Sequence, residues 1–135
     1  MTAPVSVSET ELAVLKVLWD QPRTTVRDLM TTLKSQGRTW AYTTVQTLLS
    51  RLEAKACVGI DRTGGTHLYS ASVTRDGFLR QRLDDLADSV CEGVSSPLML
   101  ALVEGRRFAP EEIEQFRKLI DRLESESADP AEGHP

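Results

Sequence analysis

The stretch that most limits what this chain can become runs Arg38-Thr39-Trp40-Ala41-Tyr42-Thr43-Thr44-Val45-Gln46-Thr47-Leu48-Leu49-Ser50-Arg51-Leu52. Val45, Leu48, Leu49 and Leu52 recur at i, i+3, i+4 and i+7, the spacing that lines one face of an α-helix with apolar groups. The opposite side carries Thr43, Thr47, Ser50 and Arg51, with Thr44 and Gln46 flanking the stripe. A helix that needed only solubility would more often show Glu and Lys there. Short hydroxyls, an amide and a guanidinium are instead what base edges and phosphates accept from a helix in the major groove. Gln pairs with adenine, a Thr methyl touches the thymine methyl, and Arg pairs with guanine or holds phosphate. An ordinary amphipathic helix with a mild surface fits the same pattern, so the neighbouring segments must decide.

Upstream, Ser8-Glu9-Thr10-Glu11 has the form of a capping box, in which side chains at each end satisfy the other's backbone N–H. Leu12, Leu15, Leu18 and Trp19 give that helix its buried stripe, and Gln21-Pro22 ends it. Thr25-Val26-Arg27-Asp28 repeats the start signal, with Val26, Leu29, Met30 and Leu33 inward and Gly37 as the stop. Two helices joined by a Gly-containing connection, the second with a polar reading face, form the helix-turn-helix pattern. Past Leu52, the runs 58–62 and 66–70 alternate like strands around Thr63-Gly64-Gly65, a hairpin whose glycines are expected to supply positive φ. That hairpin is a wing, with Arg62, Thr63 and Thr66 near its tip. Arg38, Arg51, Lys55 and Arg62 surround a reading face that meets no acid before Glu53.

The second half changes character. Thr74 caps a helix with Phe78, Leu79, Leu83, Leu86, Ala87 and Val90 on a broad apolar stripe. Ser96-Pro97 opens Leu98-Met99-Leu100-Ala101-Leu102-Val103, apolar all round and therefore expected to be buried. Pro110 starts a last helix with Ile113, Phe116, Leu119, Ile120 and Leu123 as its stripe. Three helices this apolar want a partner surface, and a second copy of the chain is the simplest supplier. The expected homodimer interface comprises Phe78, Leu79, Leu83, Leu86, Val90, Leu98, Leu102, Phe116, Leu119, Ile120 and Leu123. The expected architecture is mainly α: a flexible arm over 1–7, a winged helix-turn-helix of three helices plus a two-stranded wing over 8–72, a three-helix dimerisation region over 73–124, and a disordered tail over 125–135.

A net charge of −4 on 135 residues looks wrong for a nucleic-acid binder until the chain is divided. Residues 1–72 hold eight Lys/Arg against six Asp/Glu, whereas 73–135 hold eight against fourteen. One half is thus suited to phosphate and the other to water or a partner. No run reaches the roughly 18 apolar residues a membrane span needs and no signal-peptide layout opens the chain, so a cytoplasmic protein without membrane insertion is expected. Cys57 and Cys91 are far apart, outside any CxxC or Cys/His cluster, which argues against zinc or a disulfide framework. His67 and His134 lack the partners of a catalytic constellation, so neither enzyme activity nor a cofactor is expected. The remaining rival is a winged helix used for protein contact without DNA.

Taken in order, the two helices, Tyr42-Thr43-Thr44-Val45-Gln46-Thr47-Leu48-Leu49-Ser50-Arg51-Leu52, the wing, and Leu102-Val103-Glu104 through Glu111-Glu112-Ile113-Glu114 resemble the penicillinase repressor family typified by BlaI, MecI and CopY. The likeness runs from about Thr10 to Leu123. It implies a homodimeric winged-helix repressor on a two-fold inverted repeat in promoter DNA, with Thr43, Thr44, Gln46 and Thr47 at positions that lie against the operator. Tyr42 and Arg51 match positions close to the backbone. With the wing and loop residues, the candidate DNA-binding set is Arg38, Tyr42, Thr43, Thr44, Gln46, Thr47, Ser50, Arg51, Arg62 and Thr66. Family members tied to antibiotic resistance are inactivated when a membrane sensor protease triggers cleavage in the helix matching Leu98 to Val103. The aligned bond is Ala101–Leu102, where the commonest cleaved pair is Asn-Phe. The cysteine cluster of the copper-responsive branch has no counterpart, so no metal is implied. Ala41 and Ala109 stand where a Ser or Thr cap is expected, each costing about 1 kcal/mol, and Ala56 stands where Gly often follows the recognition helix.

Overall fold

The computed structural model describes residues 6–127; the first five residues of the expected arm and the tail from 128 onward, with His134, lie outside them. The element order is α1 (Glu9–Asp20), α2 (Val26–Ser35), α3 (Tyr42–Ala54), β1 (Val58–Asp61), β2 (Leu68–Ala71), α4 (Arg75–Val90), α5 (Ser96–Val103) and α6 (Pro110–Ser127). The chain divides into two units between Gly93 and Val94. The first is a winged helix extended by α4, and the second consists of α5 and α6.

The helix starts follow the local chemistry of the sequence. Ser8 Oγ accepts from the Glu11 backbone N–H at 3.2 Å while Glu11 Oε1 accepts from the Ser8 N–H at 2.9 Å, which completes the capping box of α1. Thr25 and Thr74 cap α2 and α4 in the same manner, accepting from Asp28 and Gly77 at 3.1 and 2.9 Å. Gly37 takes φ +87°. Its N–H donates to Lys34 O, and the next N–H, of Arg38, donates to Leu33 O, both at 2.9 Å. This left-handed stop redirects the chain toward α3. Ala41 caps α3 with no side-chain bond, as its methyl dictates.

Apolar stripes of the three helices close on one another. Leu15 and Leu18 of α1, Leu29 and Leu33 of α2, and Val45, Leu49 and Leu52 of α3 are fully buried, with Cys57, Val58 and Tyr69 sealing the strand side. Each such aliphatic side chain contributes about 1.5–3 kcal/mol by leaving water. Val7 joins this core, and Lys55 Nζ donates to Ser6 O at 2.6 Å. Ordered chain therefore begins inside the stretch expected to be a flexible arm.

The wing is antiparallel, with Val58 opposite Ala71 and Asp61 opposite Leu68. Its loop, residues 62–67, is longer than the Thr63-Gly64-Gly65 turn read from sequence, and neither Gly64 nor Gly65 takes positive φ. The turn is shaped instead by Asp61, whose Oδ1 accepts from Thr63 N and Oγ1 at 3.0 and 2.6 Å, a side-chain mimic of a backbone turn. These bonds hold the Asp61 carboxyl below the usual range. Thr24, between α1 and α2, pairs with Tyr69 in both directions at 2.9 and 2.8 Å, so the helical part and the wing share a backbone ladder.

Trp19 ties α4 to this head. Its indole N–H donates to Val73 O at 2.8 Å, and its ring meets that of Phe78 edge-on at 5.6 Å between centroids. Phe78, expected at a dimer interface, is thus engaged by the winged helix. The break between units consequently falls after Gly93 rather than at Val73.

In the second unit, the Ala109 N–H donates to Glu112 Oε1 at 2.8 Å at the start of α6, and Phe108 packs edge-on against Phe116 at 5.1 Å. The expectation that α5 is buried does not hold for the single chain: Met99 is 52% exposed and Leu100 61%. No residue of α5 or α6 is buried, because among the described residues no element covers their apolar faces. Helix α6 runs through Ser127, three residues into the stretch expected to be a disordered tail.

Candidate nucleic-acid interface

The core that buries Val45, Leu48, Leu49 and Leu52 fixes the rotation of α3 and leaves its other side bare. Thr43, Thr44, Gln46, Thr47, Ser50 and Arg51 are all exposed, and Tyr42 at the first turn is 46% exposed. A shallow depression runs along this face, lined by Thr43, Gln46, Thr47, Ser50 and Arg51. A second opens between the α2 N-terminus, Tyr42 and Gln46 of α3, and Thr66 and His67 of the wing. Gln46 borders both. The structure therefore brings Tyr42, Thr43, Gln46, Thr47, Ser50, Arg51 and Thr66 onto one connected surface, with Thr44 exposed on the same helix.

The Thr47 hydroxyl donates to Thr43 O at 2.9 Å, back into the helix. What it leaves facing outward is its methyl group, the part of threonine that matches the thymine methyl. His67 is exposed, as its strand position predicts.

Charged groups around the face divide into engaged and free. Arg62 Nη2 lies 3.5 Å from Glu53 Oε2, so the wing cation is already paired with the end of α3. Lys55 Nζ lies 2.6 Å from Glu11 Oε1, which ties the C-terminal end of α3 to the start of α1. Burial pushes the Glu11 carboxyl up, but the Lys55 ammonium and the Ser8 N–H outweigh it and hold the group below its ordinary value. Lys55 is therefore structural rather than a free cation at the rim. Arg51 takes part in no ion pair among the described residues. Arg38 sits apart from the α3 depressions, its guanidinium 5.6 Å from the centre of the half-buried Trp40 ring. Trp40 packs on the core and shares a depression with Met30 and Thr31 of α2.

A face of hydroxyls, methyls, one amide and one free guanidinium is equipped to donate, accept and pack, not to transfer groups. Among the described residues no three His, Cys, Asp or Glu side chains converge as a metal site. The family model described as Penicillinase repressor matches residues 7–122. The chain belongs to the penicillinase repressor family. The penicillinase repressor of Bacillus licheniformis is 23% identical over 115 residues, covering 85% of this chain and 89% of that protein. The methicillin resistance regulatory protein MecI of Mammaliicoccus sciuri is 22% identical over 116 residues, covering 86% and 94%. The solution structure of monomeric Bacillus licheniformis BlaI in complex with the blaP half-operator is 27% identical, covers 57% of this chain and 93% of that one, and superposes with a TM-score of 0.47. These relatives are repressors, not enzymes.

In this penicillinase repressor, sequence reasoning passed over Arg27 and Lys34. Arg27 lines the depression at the wing and also the one beside Trp40, where Lys34 joins it. Arg27 entered the reading only as part of a helix-start signal. The available clue was the seven-residue spacing of the two cations on the polar phase of the second helix.

Proposed function

We propose that this repressor acts as a homodimer on an inverted-repeat operator in double-stranded promoter DNA, each copy setting α3 into a major groove. The observation that carries the reading is the bare face of α3: its hydroxyls, amide and guanidinium are exposed together, while the apolar residues of the same helix are all buried. Thr43, Thr44, Gln46 and Thr47 read base edges, Thr47 through its methyl. Tyr42, Ser50 and Arg51 meet the backbone beside the groove. Arg38, and Arg62 and Thr66 of the wing, meet the flanking backbone.

Dimerisation is supported by the apolar side chains left exposed on α4, α5 and α6: Leu79, Leu86, Val90, Leu102, Phe116, Leu119, Ile120 and Leu123. Leu83 and Leu98 are half-buried beside them. A two-fold partner offers the same apolar surface in return. Relief of repression by cleavage at Ala101–Leu102, through a membrane sensor protease system responding to cell-wall antibiotics, extends this reading. The bond lies within the exposed helix α5, so the helix must open locally before a protease can bind it extended.

Footprinting with the purified chain on the promoter upstream of its own gene tests the proposal. Protection of two symmetric half-sites, with affinity falling steeply as salt rises, is the expected result. No protection, or binding indifferent to salt, rejects DNA as the partner and favours a protein-contact module.

A further inference from the structure

Three cations of the first unit take part in no ion pair among the described residues and sit on one side of the head. Arg27 and Lys34 are seven residues apart and hence on one face of α2. Arg38 lies in the connection that follows. Together with Thr31 and Trp40 they border an open depression that contains no carboxylate. Because Arg27 also borders the depression shared with Gln46 and the wing, this basic strip is continuous with the α3 face. Asp28, the single acid of α2, lies in the first turn, where its charge opposes the helix's own positive end.

The wing flank is different. Arg62 is paired with Glu53 at 3.5 Å and Arg23 with Asp61 at 3.2 Å. A phosphate arriving there must share or displace a carboxylate already in place. One arriving at α2 meets cations with no partner to lose, and each such contact releases a counterion from the duplex.

We infer that the DNA backbone is held chiefly on the α2 side, by Arg27, Lys34 and Arg38, and that the wing adds little net charge. This assignment rests on the DNA-binding reading above. Arg27 and Lys34 are about 10 Å apart along the helix axis, so they meet different phosphates. The Trp40 ring under Arg38 orders that guanidinium before the duplex arrives.

The test uses the full chain with two duplexes of equal length, the upstream promoter segment and a shuffled version of it, across 50 to 200 mM salt. The double variant Arg27→Gln/Lys34→Gln keeps side chains of good helix propensity. It is expected to weaken both duplexes by a similar factor and to lower the slope of log K against log salt by about 1.8, roughly 0.9 for each lost contact. Arg62→Gln is expected to change the slope by less than half as much. The charge-preserving swap Arg27→Lys/Lys34→Arg should restore the original slope. A wild type that binds the promoter segment while Arg27→Gln/Lys34→Gln keeps its slope, or the swap fails to restore it, overturns the assignment and leaves the DNA-binding reading standing. A wild type with no salt-dependent affinity for either duplex overturns that reading and this one with it.

Discussion

The two units of this chain use similar amounts of leucine to opposite ends. In the winged helix, α1, α2 and α3 turn their apolar stripes toward one another, and the largest aliphatic side chains are out of water entirely. In α5 and α6 the stripes are just as apolar, yet no residue of either helix is buried. The first unit completes its core within one chain. The second has the surface of a core half, and free energy of about 25 cal/mol per Å² awaits whatever covers it. Order in the head is thus a property of the sequence alone, whereas order in α5 and α6 depends on company.

The sharpest way to break this contrast is to remove the second unit. A chain ending at Gly93 keeps the Trp19 and Phe78 contacts and should remain folded, but as a monomer by analytical ultracentrifugation. Its operator affinity should fall by about 100-fold or more, the usual worth of joining two binding modules. A shortened chain that still dimerises would move the interface onto the head. Next in size, Leu49→Ala should destabilise the head by about 3 kcal/mol in urea melts. That cost should not vary with protein concentration, whereas the full chain's α5 and α6 transition should shift upward as concentration rises.

A smaller effect is expected at Glu11. Its folded-state value is depressed, so its stabilising charge is fully present above the ordinary glutamate value of 4.5 and is lost as pH falls through the lowered one. Glu11→Gln should therefore cost about 2 kcal/mol near neutral pH, and the gap from wild type should close as acid is added below that value. A gap that stays constant with pH would mean the Lys55 pairing contributes nothing. The smallest effect concerns Ala56, which follows the C-cap of α3 at φ +62°. A side chain strains that left-handed conformation, so Ala56→Gly should raise the stability of the head by up to about 1 kcal/mol in the same melts.

What the sequence made legible was local. Ser8, Thr25 and Thr74 announce their helices within four residues, and the stripe Val45, Leu48, Leu49, Leu52 fixes which side of α3 is bare. The Thr24 to Tyr69 bridge and the Trp19 to Val73 bond join residues some fifty positions apart, and no periodicity encodes them. The wing turn was misjudged because Asp61 outcompetes the glycines by binding Thr63. Helix α5 was expected to be buried on composition, and composition names the need for a cover without naming its source. At the site, the residue types on α3 were readable, but which cations remain unpaired was not. Arg62 and Lys55 look free in a string of letters until Glu53 and Glu11 are brought beside them.

The clamp of Trp19 on the start of α4 makes that helix a rigid lever. Its 16 residues extend about 24 Å from the reading head. One residue inserted there would swing everything downstream by about 100° around the lever, whereas seven would return it almost to phase, merely longer. Changes in the length of α4 should therefore be tolerated in near-whole turns, and operators whose half-sites are spaced differently call for levers that differ by such steps.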